Sequence, residues 1–133
     1  MEDSEPKHSR FGTPMGEWIN LVGELDIDAV GLWQIIPAGR EGFGLQGPAL
    51  DDFVRRSLIA HLAYGAFPVR HIPGDPNVWT IQTNYGETPE VMAEAIVSEW
   101  VEMGRPNPGL GDLWLATPSI ANHPFKDGMA KPA

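Results

Sequence analysis

Apolar residues recur along this chain with two periods, and the change from one to the other predicts its elements. Trp18, Leu21, Val22 and Leu25 stand at i, i+3, i+4 and i+7, one stripe of a helix. Thr13 suits its N-cap and Pro14 its first position, while Gly16 and Gly23 weaken it. Ala29 to Pro37 is a nearly continuous apolar run and predicts a first, central strand. A second helix is expected from Pro48 to Tyr64, with Leu50, Phe53, Val54, Leu58, His61 and Leu62 as its buried stripe and Gly65 as its stop. Asp51–Arg55 and Asp52–Arg56 are i, i+4 pairs on that helix in the favourable order.

Phe67 to Ile72 reads as a second strand, placed at an edge because Pro68 cannot donate to a ladder. The run from Pro73 to Asn77 has turn chemistry. Val78 to Asn84 then forms a third strand, with Trp79, Ile81 and Thr83 opposite Val78, Thr80 and Gln82. Thr88, Pro89 and Glu90 open a third long helix as cap, first residue and dipole complement. Its stripe is Met92, Ile96, Trp100 and Met103, and Gly104 ends it before Pro106 and Pro108. Asp112 to Thr117 is a fourth strand, stopped by Pro118.

Without its first helix this order is β-α-β-β-α-β, which predicts an α+β fold, a ferredoxin-like sandwich. The first and third strands would be central and both long helices would cover one face of an antiparallel sheet. The other face would be open, paired with a second copy, or covered by the N-terminal helix. Residues 13–118 make one α+β domain. Residues 1–12 lack a hydrophobic period and read as a disordered polar arm, and 119–133 as a C-terminal tail that Phe125 would pin to the body.

The 133 residues carry 18 acids against 9 bases, a net charge of −9. The domain alone holds 14 acids and 5 bases, so the charge belongs to the body. An acidic surface disfavours nucleic acid and anionic membrane and permits a basic partner. No run reaches the length of a membrane span, and the polar start is unlike a signal peptide. The chain has no cysteine, which removes disulfides and thiolate chemistry and fits a cytoplasmic protein.

Catalytic patterns are missing. His8, His61, His71 and His123 show no metal-ligand spacing, and neither Ser57 nor Ser98 sits in a nucleophile elbow. His61 lies in an apolar stripe, where a core histidine with a hydrogen bond is expected, and His71 could meet Asp75 across the turn. Glu90, Glu94, Glu99 and Glu102 read as a solvated helix face. Gly39 to Gly47 is a glycine-rich loop between strand and helix, but its spacing matches no phosphate-binding fingerprint. No metal or cofactor is expected.

Five tryptophans are the remaining signal. Trp18 and Trp100 fall on helical stripes. If Leu113 and Leu115 face the helices, Trp114 faces the open side. The expected interface is therefore Trp33, Thr80, Gln82 and Trp114, since indoles are enriched where proteins meet. The sequence favours a non-catalytic binding protein over an enzyme. It would engage a protein partner or itself, as a homodimer, through a sheet face or edge. The alternative is a small-ligand protein or enzyme with a pocket under the Gly39–Gly47 loop, using Arg40, Phe43, Arg70, His71 and Tyr85.

Overall fold

The computed structural model describes residues 6–72, 75–106, 113–118 and 131–132. Phe125 and the rest of the expected tail, except 131–132, lie outside the described residues, as do 73–74 of the expected turn and the expected strand start at Asp112. Among the described residues the fold mixes four α-helices with one sheet: α1 (Met15–Ile19), α2 (Leu32–Pro37), α3 (Gly47–Tyr64), α4 (Pro89–Glu102), β1 (Val30–Gly31), β2 (Phe67–Ile72), β3 (Asp75–Ile81), β4 (Trp114–Ala116) and β5 (Lys131–Pro132). Across the sheet the order is β1-β4-β2-β3-β5. The first four strands pair antiparallel, and β5 runs parallel to β3.

The two long helices follow their sequence signals. Leu50, Phe53, Val54, Leu58, His61 and Leu62 are all buried, and Gly65 closes α3 at a φ of 123° that favours glycine. Thr88 Oγ1 accepts the Val91 N–H at 3.2 Å and caps α4. Met92, Ile96, Val97 and Trp100 are buried beneath it. Met103 is not part of that stripe: it is the C-cap and 61% exposed, because the helix has already ended. Both helices share one core with Val30 and Leu115, so they lie on the same face of the sheet.

The strand order departs from the ferredoxin-like expectation. β4 and β2 are central, and the first strand contributes only two residues at an edge. The rest of the predicted run, Leu32 to Pro37, is helix. A short apolar run does not declare its own period, and here Leu32, Ile35 and Ile36 are buried at i, i+3, i+4 while Trp33 is exposed. Gln34 Oε1 accepts the Gly31 N–H at 2.7 Å and fixes the turn into α2. The chain continues from Pro37 into a π turn over Ala38–Gly42.

Nor is β2 an edge strand. Val69 pairs with Ile81, so Pro68 lies opposite Gln82, one residue past the end of β3. The Pro68 carbonyl still accepts Gln82 N–H at 2.8 Å, and the missing donor falls where the ladder stops.

The N-terminal helix is shorter than its stripe. It stops at Ile19, and a 3₁₀ turn over Gly23–Asp26 carries Leu25 into the core. Leu21 is left exposed. Residues 6–12 are joined to the body: Met15 N–H donates to Pro6 O, His8 N–H to Thr13 O and Ser9 N–H to Gly42 O. His8 stacks on Trp18 with centroids 4.3 Å apart and meets Phe43 edge-on at 5.4 Å.

Candidate functional site

The sheet face turned away from α3 and α4 carries the aromatic residues. Trp114 pairs with Gly31 on one side and Val69 on the other, Val69 pairs with Ile81, and His71 with Trp79. Cross-strand partners share a face. Leu115, one residue from Trp114, therefore points to the main core. The floor of the aromatic face is small and buried: Ala29, Val69 and Ala116, with Trp79, Ile81 and Trp114 packed over them.

Four rings close over that floor. Trp79 and Trp114 meet at 5.8 Å and 67°, and Trp33 meets Trp114 edge-on at 6.1 Å and 78°. His71 stacks on Trp79 at 4.0 Å and lies 6.2 Å from Trp114. Edge-to-face contacts of this kind are the preferred arrangement of aromatic quadrupoles. Trp33 reaches the cluster from the first turn of α2, its indole lying over Gly31, and stays 48% exposed. The N-terminal helix does not cover this face, since Trp18 and Ile19 pack with α3 in the main core.

The structure brings Trp33 and Trp114 together and adds His71 and Trp79. It places Thr80 and Gln82 elsewhere. Thr80 pairs with Arg70 on the helix-facing side, and Gln82 Nε2 donates to Thr80 O at 3.0 Å. By polarity alone Thr80 and Gln82 belong on the open face and Trp79 on the covered one, yet on β3 the polar residues lie, half-buried, on the helix-facing side. There Arg70 Nη2 donates to the Tyr85 hydroxyl at 3.2 Å, which donates to Glu99 Oε1 at 2.6 Å. Burial, then the bond to Glu99, raises the Tyr85 pKa.

The residues expected to line a pocket under the glycine loop are spread over separate places. Arg70 and Tyr85 form the partly buried chain just described, His71 is in the ring cluster, and Phe43 packs against His8, Trp18 and Phe53. Arg40 remains by the loop. Its guanidinium lies 5.8 Å from the Trp100 ring and donates to Arg105 O at 2.8 Å. A cavity of about 550 Å³ opens there between Gln46, Gly47, Leu50 and Arg105. The Arg105 charge is already taken by Asp51, which is why Asp51 does not pair with Arg55; Arg55 bonds Glu94 at 2.7 Å instead. The side chain of Asp75 lies outside the described residues.

Among the described residues no helix is long and apolar enough to cross a membrane, and no three His, Cys, Asp or Glu side chains are grouped to hold a metal ion. No protein-family model, curated protein or solved structure matches this chain.

Proposed function

We propose that the chain is a non-catalytic interaction protein whose aromatic sheet face receives a Lys- or Arg-bearing segment of a protein partner. The observation that supports this most is the half-exposed Trp33 indole set against Trp114, Trp79 and His71 on a face the N-terminal helix leaves alone. Indole faces attract guanidinium and ammonium groups, and Trp and Arg dominate the energetics of many interfaces. A net charge of −9 draws a basic partner in and opposes a second copy.

An Arg-rich peptide and its Gln-substituted counterpart, titrated into the protein and into Trp33→Ala, test the reading. The Arg peptide should bind better, and Trp33→Ala should weaken it roughly fivefold or more with an unchanged urea midpoint. Equal binding of the two peptides, or binding indifferent to Trp33, would defeat the proposal. A wild-type dimer that Trp33→Ala renders monomeric in native mass spectrometry would assign the face to a second copy.

A further inference from the structure

A separate cavity of about 200 Å³ lies between the N-terminal segment and α3, walled by Trp18, Ile19, Phe53, Glu24, Gln34 and His61 among others. A hole of about 150 Å³ is enough for benzene, so one small ring fits. Its walls are mostly apolar and aromatic, with a few polar groups converging, the composition of a small-molecule site.

His61 gives the cavity its chemistry. The residue is 7% exposed, yet only one of its ring nitrogens is engaged. Nδ1 lies 2.7 Å from Ser57 O in the preceding turn of α3. A carbonyl only accepts, so Nδ1 carries the proton and the neutral ring presents a lone pair at Nε2. No described residue bonds Nε2. Among the described residues no fully buried side-chain nitrogen or oxygen lacks a partner, so Nε2 has open surface, and the cavity is what His61 borders. Burial holds the imidazole below its usual pKa and keeps it neutral near pH 7.

The other polar groups narrow the ligand. The Gln34 carbonyl is committed to Gly31 N–H, which leaves its amide hydrogens. The Glu24 carboxylate stands at the exposed rim, and the body of the chain is acidic, so an anion is disfavoured.

We infer that this cavity binds a small, uncharged or cationic aromatic compound bearing a hydroxyl or N–H donor, which His61 Nε2 accepts. The test uses the full chain with phenol, toluene and benzoate as probes. Binding is read from the ¹⁵N resonances of the His61 imidazole and from Trp18 emission.

Phenol at millimolar concentration should move the His61 Nε2 resonance and bind roughly fivefold tighter than toluene, the factor one hydrogen bond supplies. Benzoate should bind least. In His61→Leu the preference for phenol over toluene should disappear. No response of His61 to phenol would overturn the inference, as would equal affinity for phenol and toluene, which would mean an apolar hole with no acceptor role. The wild-type His61 signal itself locates the ligand, so the test remains decisive even where His61→Leu fails to fold.

Discussion

Arg105, just past the end of α4, forks onto Asp51 in the first turns of α3, with Nε and Nη2 at 2.7 and 2.6 Å from the two carboxylate oxygens. Residues 54 apart in sequence are tied by a bidentate pair, and the Asp51 side chain is only 13% exposed. The Arg105 backbone has a φ of 53°, a left-handed conformation that L residues other than glycine rarely adopt. The tie and the backbone therefore pull stability in opposite directions. Arg105→Ala loses the fork and keeps the strain, whereas Arg105→Gly loses the fork and relieves it. Urea denaturation should give Arg105→Ala the lower midpoint of the two. A double-mutant cycle with Asp51→Asn should show the two losses to be less than additive.

A methyl group at position 31 has no room. A Cβ built on Gly31 falls on the Trp33 indole at Cδ1 and Nε1 and lies 3.2 Å from Trp114 Cε3. Gly31→Ala must push Trp33 off the sheet, and overpacking of this kind costs about 1–3 kcal/mol. The near-ultraviolet circular dichroism of the coupled indoles should fall with the midpoint. An intact aromatic signal in Gly31→Ala would show that the ring cluster does not depend on this close approach.

Tyr85 is 6% exposed, and its hydroxyl is the link between Glu99 and Arg70. Tyr85→Phe keeps the ring and removes the link, leaving a carboxylate and a guanidinium without their shared partner. The expected loss is about 1–2 kcal/mol. Glu99→Gln should cost less, because its amide oxygen still accepts from the hydroxyl. Equal midpoints for wild type and Tyr85→Phe would show that water replaces the hydroxyl without loss.

Local signals are legible in these residues, and pairing between segments is not. The long helices can be read because their caps and stops are local: Thr88 and Pro89 open α4, and Gly65 ends α3. The face of Trp114 can be read too, since Leu113 and Leu115 alternate with it and both are buried. Strand order is decided between distant segments. Nothing in the run from Ala29 to Pro37 says that the chain leaves the sheet after Gly31, or that β4 lies beside β2. The candidate site inherits the same limit. Thr80 and Gln82 look like a solvated face until Arg70, Tyr85 and Glu99 are seen to build a partly buried polar chain behind the sheet. His61 is recognisable as a buried, hydrogen-bonded histidine, but the cavity it borders exists only once the N-terminal segment and α3 meet.

His61 also sets a pH dependence whose sign follows from its burial. Desolvation lowers its pKa in the folded protein, outweighing the opposite effect of the Ser57 carbonyl. The unfolded chain takes up its proton near the ordinary value of 6.5. Between those two values the unfolded state binds a proton that the folded state refuses, so stability rises with pH there and falls as the pH drops. Below the folded value both states are protonated and the loss is complete. Asp51 acts separately and lower down. Arg105 depresses its carboxyl, so its contribution is present above the ordinary 3.8 and disappears only as acid titrates it through the lowered value. Urea midpoints at about pH 7.5 and about pH 5 therefore isolate the histidine range from the carboxylate. The midpoint should fall on going to the lower pH, and in His61→Gln the fall should shrink. A fall of the same size in His61→Gln would assign the acid sensitivity to groups other than His61 and would remove the case for a neutral, proton-accepting Nε2.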